Sequence, residues 1–384
     1  MENRITVSDS IWQWVQNTIS IPSLSASIQE SFRKWASGDK QPTFNQLEDF
    51  SKKANIPLGY FFLQNPPDET CPVLEYRTLG STTIHNLSRN LLDTVRHMED
   101  IRDWMRDYLI SESAQPVSYV ASIDPEGDVG ASVNMIRNTL SINETWYAQS
   151  KSIDDSFKRL RTAISNLGIL VMQNGVVGSN NHRPLDISEF RAFCLIDTFA
   201  PLIFINAKDS RGGKIFSLLH EFVHIGVGEG SLINAETWQV ISAIDPLETF
   251  CNRVVSEILV PEVQFKNKWQ ESSGDIELRI RSIANHFRCS QSVILRRCLD
   301  NKLISIDEYS KLQQKAKLLS QQVTDSSGGN YWATQLTRSD CRFLKALGSS
   351  VSEGKTPYTE AFRLTNTNLK TFDTMISKAK GDLV

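Results

Sequence analysis

Two histidines, His220 and His224, stand four residues apart in the run His220-Glu-Phe-Val-His224. On a helix that spacing puts both imidazoles on one face, one turn apart, where two ring nitrogens can bind one zinc ion at about 2.0–2.1 Å. Glu221 lies between them and cannot point the same way as both. It can instead act as a general base toward a water that attacks a carbonyl carbon. A structural zinc site is closed by four protein ligands, whereas a hydrolytic one takes three and leaves a position open, so one more donor is required. Glu248 is the best candidate, with 23 residues between it and His224. Asn252 lies one turn further on and reads as a residue that supports a ligand or touches substrate, or as a plain exposed polar residue.

These residues need helices to hold them. Ile215, Leu218, Leu219, Phe222 and Val223 recur at helical spacing and predict an apolar stripe beside the histidines, so that one face packs into the core while the other lines a cleft. Gly226, Gly228 and Gly230 end that helix. Leu247, Cys251, Val254, Val255 and Ile258 predict a second amphipathic helix, ended by Pro261, with Glu248 and Asn252 on a face off its stripe. A plainer reading of Glu248 stays open: Asp245 as N-cap and Pro246 as first helical residue would make it the third-position partner of a capping box.

The two segments, IFSLLHEFVH from Ile215 and ETFCNRVVSEILVP from Glu248, together resemble the ImmA/IrrE metallopeptidases, in which a FTLAHELGH-type helix precedes E-x-x-A-N-x-F-A-x-x-L-L-x-P. Cys251 stands for the usual Ala, and Val254 and Val255 for Phe-Ala, while the Glu, the Asn and the terminal Pro stay in register. The resemblance implies His220, His224 and Glu248 as ligands of one Zn2+ per chain and Glu221 as catalytic base. It also implies a narrow protein substrate: a small DNA-binding repressor of a prophage, mobile-element or stress system, or a toxin-antitoxin neighbour.

The rest of the chain sets bounds on this. Its 384 residues are 40% hydrophobic, with a formal charge of −3 and a pI near 6.1, enough for a sizeable core and without a global basic field for nucleic acid. The first residues lack a basic leader and an apolar core region, and no stretch approaches the roughly 18 apolar residues of a membrane helix, so a cytoplasmic protein without membrane attachment is expected. Six cysteines with no CxxC pair suit reduced thiols.

Residues 1–66 resemble a degenerate helix-turn-helix domain of the phage-repressor type. A first helix is expected over Val7–Ile19, Gly38 ends a second, and Pro42-Thr43 begins a third with Leu47, Phe50 and Ala54 inside. The stretch between the first helix and Trp35 leaves no room for a positioning helix. Only Gln29, Arg33 and Lys34 offer themselves to a DNA groove, so DNA binding is possible but a protein-contacting role is favoured.

A helical connector is expected over 67–150. It includes the short run Val73–Ser81, a long helix near Asn86–Leu109 and another near Val129–Leu140. The peptidase domain is read as 151–319. It opens with a helix at Ile153–Leu167, and three strands follow, at Gly168–Val177, Ser188–Asp197 and Pro201–Ala207, with Gly178–Asn181 as a turn. Residues 276–312 look like a second helix-turn-helix, with a structural or substrate-docking role favoured over DNA reading. Residues 320–330 read as a linker and 331–384 as a helical appendage.

The expected fold is therefore α+β and mostly helical: a zincin-like minimal metallopeptidase domain with a small three-stranded sheet, preceded by a helix-turn-helix-like domain. The activity expected is that of a zinc metallo-endopeptidase. The rival is a non-proteolytic regulator or antitoxin-like protein with a structural or vestigial metal site. His286 is a candidate to steady the oxyanion, although a lone His in an Arg-rich helix is more often ordinary structure.

Overall fold

The computed structural model describes residues 4–19, 21–67, 87–233, 246–322 and 331–381. The expected connector run Val73–Ser81, most of the 320–330 linker and the proposed cap Asp245 lie outside them. The described residues fall into two compact units, 4–67 with 87–95, and 96–381.

In the first unit α1 (Asp9–Thr18), α2 (Ala26–Ala36) and α3 (Phe44–Ala54) precede a 3-10 turn at Leu58–Phe62. Trp12 is the hub of this small core. Its ring lies 5.8 Å from Phe32, 6.0 Å from Trp35, 6.1 Å from Phe50 and 5.6 Å from Phe61. A cluster of large rings lets a domain this short bury enough apolar surface to hold together. Helix α3 starts where Pro42-Thr43 predicts, with a full capping box between Thr43 and Gln46. Between α1 and α2 the described chain holds a 3-10 turn, Ile21–Ser23.

The second unit takes most of the long helix α4 (Arg89–Ser111), then α5 (Val129–Thr139) and α6 (Ile153–Asn166). The sheet follows. Strands β1 (Leu170–Asn174), β4 (Ala192–Leu195), β5 (Leu202–Asn206) and β6 (Ser231–Ile233) form one sheet in the order β1-β5-β4-β6, parallel between β1 and β5 and antiparallel elsewhere. The small sheet of the α+β reading is there, with four strands where the sequence suggested three.

Two local readings need correction. The apolar run at Gly168–Val177 splits at Gly175, and Val176–Val177 (β2) leaves the sheet to form a separate ribbon with Asn180–Pro184 (β3). The stretch read as a turn is thus partly a strand. Its residues are polar and mostly exposed, so no alternation marked it.

The outer edge of β1 is closed by side chains. The Asp340 carboxylate accepts from Val171 N at 3.1 Å, and Arg161 donates to Val171 O at 2.8 Å. Among the described residues, strand β6 is the opposite edge.

Helix α7 (Arg211–Val227) lies against α6, against the following helix α8 (Pro246–Leu259), and against β4, β5 and β6. It is buried almost all round, from Gly212 to Gly226, whereas the stripe predicted a one-sided helix. Gly226 has to be small, since a Cβ there would lie 2.6 Å from Ile123 Cδ1 and 2.7 Å from the Tyr119 hydroxyl. Gly228 then ends the helix at φ 89°, donating to the His224 carbonyl at 2.9 Å. After α8 come α9 (Glu262–Glu271), α10 (Ile276–Phe287), α11 (Gln291–Asp300) and α12 (Ile306–Gln322). The carboxyl-terminal helices are α13 (Tyr331–Arg338), α14 (Cys341–Ser352), α15 (Tyr358–Thr365) and α16 (Leu369–Gly381).

Candidate metal centre

The centre of α7 carries His220 and His224 with their rings 4.8 Å apart, both essentially without solvent exposure. Their Nε2 atoms face each other at 3.0 Å. Helix α8 brings Glu248 to the same point from its first turn. One carboxylate oxygen is 3.2 Å from His220 Nε2 and the other 3.4 Å from His224 Nε2.

Two imidazole lone pairs cannot face each other at that distance in a dry interior unless a proton or a cation sits between them. A tetrahedral ion with arms of 2.0–2.1 Å spaces its ligand atoms by about 3.3–3.4 Å, close to the 3.0–3.4 Å separations of these three groups. The three residues form the metal-competent group, and no fourth His, Cys, Asp or Glu among the described residues joins it. Cys251 is close to His224 but is not part of the group, and burial pushes its thiol up and keeps it protonated. Glu248 is therefore placed for ligation, and the capping alternative involves a residue outside those described.

The electrostatics differ between the two rings: burial would lower His224, but Cys251 and Glu248 outweigh it and raise it well above its usual range. Burial lowers His220, favouring the neutral ring that a metal requires. Burial alone would raise Glu248, but the charge and hydrogen bonds of His220 and then His224 outweigh it and hold the carboxylate well below its usual range. Asn252 lies beside His220, and Asn252 Oδ1 and His220 Nδ1 are each buried without a partner. A proton on Nδ1 would satisfy both and leave Nε2 free to ligate.

Glu221 is fully buried and lies outside the ligand group. Its Oε2 accepts from the Ser231 hydroxyl at 2.5 Å, while Oε1 has no partner. Burial pushes its carboxyl up to about 7. Sequence reasoning did not find Ser231, or Cys194 behind it. A three-residue strand just after a glycine-rich helix end carries no periodic signal. His286 is not brought to the centre: it is exposed, and its neighbours are Tyr147, Phe287, Lys268, Glu271 and Arg288.

A search of curated proteins finds no match to the chain. Residues 340–378 match a family model described as a domain of unknown function. Residues 165–299 match the model of the M78 peptidases, described as the IrrE N-terminal-like domain, so the stretch carrying His220, Glu221, His224 and Glu248 is similar to a metallopeptidase domain of the ImmA/IrrE kind.

Proposed function

We propose that this chain is a zinc-dependent endopeptidase of the cytoplasm that cuts one specific partner, a small DNA-binding repressor or a toxin-antitoxin neighbour. The observation that carries the reading is a division of labour on α7. His220 and His224 join Glu248 in a three-donor group, and Glu221 stays outside it with one buried carboxylate oxygen, Oε1, unpartnered. A purely structural metal needs a fourth donor and no base beside it.

When bound, zinc polarises the scissile carbonyl and makes water a nucleophile at neutral pH. His220, His224 and Glu248 would hold it, with Asn252 orienting the His220 ring. Glu221 Oε1 takes the proton of the attacking water and delivers it to the leaving amine nitrogen. Strand β6 would support an extended substrate: among the described residues it is the sheet edge opposite the one that Asp340 and Arg161 close. The identity of the partner rests on the ImmA/IrrE resemblance.

The test is co-expression of the chain with the products of the genes that flank its own, following the length of each by mass spectrometry. Glu221→Gln should retain metal and partner binding and lose cleavage by roughly 10²–10⁴-fold. Equal cleavage by both forms would refute the mechanism. A partner held intact by both would instead make the chain a non-proteolytic regulator.

A further inference from the structure

The surroundings of Glu221 contain a device that the proposed mechanism does not use. Ser231 on β6 and Cys194 on β4 are cross-strand partners, so their side chains share one face of the sheet. That face meets α7, and both residues are buried, at 5% and 1% exposure. The Ser231 hydroxyl reaches Glu221 Oε2 at 2.5 Å, and Cys194 Sγ lies 3.9 Å from Ser231 Oγ.

The direction of these bonds follows from the donors available. An ionised carboxylate only accepts, so the single Ser231 proton goes to Glu221. The Ser231 lone pairs are then left for the Cys194 thiol. Burial pushes that thiol well above its usual range, so it remains a donor.

We infer that Ser231 is a positioning residue for Glu221: its hydroxyl, backed by the Cys194 thiol, fixes Oε2 so that Oε1 alone is presented as the proton acceptor. This rests on the reading of Glu221 as the base. Two observations favour it over a simple tie between strand and helix. Strand β6 is already held by its backbone register with β4, from Ala192↔Ile233 to Cys194↔Ser231, so the hydroxyl is not needed to place it. The hydroxyl also satisfies one carboxylate oxygen and leaves the other, equally buried, without a partner. A group serving stability alone leaves a costly orphan there.

The experiment uses the full-length, zinc-loaded chain and two readouts. The first is infrared difference spectroscopy, in which the Glu221 carboxylate band is the one absent from Glu221→Gln. Ser231→Ala should shift that band, and Ser231→Thr, which keeps the hydroxyl, should restore it; a band that does not move in Ser231→Ala overturns the inference. The second is the affinity for acetohydroxamic acid, whose hydroxyl proton passes to Glu221 as the resulting anion binds. Ser231→Ala should retain zinc and bind this probe roughly tenfold more weakly, with recovery in Ser231→Thr. Cys194→Ala should show a smaller loss of the same kind.

Glu221→Gln separates the two ideas. If it weakens the probe and Ser231→Ala does not, only the positioning role fails. If Glu221→Gln leaves probe affinity unchanged, the reading of Glu221 as base fails with it. Should Ser231→Ala not purify as a folded chain, Ser231→Cys, of similar size and a poorer donor, replaces it in both measurements.

Discussion

Three side chains from two helices converge on one point, and the cost of leaving that point empty makes a strong expectation about metal. The Nε2 atoms of His220 and His224 face each other at 3.0 Å, with the Glu248 carboxylate oxygens 3.2 and 3.4 Å from them. Removing a ligand should weaken metal binding far more than removing a group that only orients one. Glu248→Ala should therefore lose most of its zinc by elemental analysis after dialysis, and Asn252→Ala should retain it; equal retention would return Glu248 to a capping role. Glu221 makes a different expectation, about pH. Its folded-state pKa, pushed up to about 7 by burial, lies above the 4.5 of an unstrained glutamate. Such a group contributes stability that is fully present below about pH 4.5 and is lost as pH rises through about 7. In chelator-treated protein, Glu221→Gln should melt higher than the parent chain at pH 8, by up to roughly 3 kcal/mol, and the gap should shrink toward pH 5. A gap that does not change with pH would show that this carboxyl is not strained.

Helix α7 was the element most legible in the sequence, because its apolar residues and its histidines obey one helical period and its glycines mark the end. The same signals understated its burial. The tight packing comes from Gly212, Gly213 and Gly226, where a Cβ would lie 2.4–2.8 Å from neighbouring atoms, and no stripe count reports that. Legibility failed where elements were short or polar. Strand β6 has three residues and β3 is a run of Asn, His and Arg, so both owe their conformation to pairing rather than to pattern. The base's partner Ser231 was missed for the same reason. The tight packing can be tested at Gly226. An added methyl should strain the contact with Tyr119 and Ile123 by about 1–3 kcal/mol, which outweighs the ~1 kcal/mol that alanine gains as a helix former. Gly226→Ala should lower the thermal midpoint. Because the buried Tyr119 hydroxyl has no hydrogen-bond partner, adding Tyr119→Phe should recover part of the loss. A double variant no better than the single one would place the strain elsewhere.

Taken whole, the chain joins its peptidase-like segment to parts whose roles differ. The carboxyl-terminal segment is tied to the sheet through Asp340, whose carboxylate accepts from both Val171 N and Arg342 N. Asp340→Ala should cost about 1–3 kcal/mol in chemical denaturation, since a buried strand N–H then has no acceptor. A near-zero cost would mean that water replaces the carboxylate and that the edge of β1 is not closed. For the amino-terminal unit the expectation concerns DNA. In α2, the helix that would face a groove, Gln29 donates to Leu24 O at 2.7 Å and Lys34 pairs with Glu30 at 2.7 Å. Lys52 and Lys53 of α3 pair likewise with Glu48 and Asp49. Such exposed pairs add little stability, but each places a carboxylate beside a lysine that phosphate binding would need. Affinity for a duplex grows with the number of phosphates neutralised and falls steeply with salt, and this surface offers few uncompensated charges. Residues 1–66, and the full chain, should therefore show no nanomolar binding to a duplex from the protein's own promoter at physiological salt, and any weak binding should have a shallow salt slope. The measurement is fluorescence anisotropy across a salt series. Tight binding with a steep slope would restore the helix-turn-helix resemblance to a DNA-reading role, and would give the chain a second way to act on the genes its proposed substrate controls.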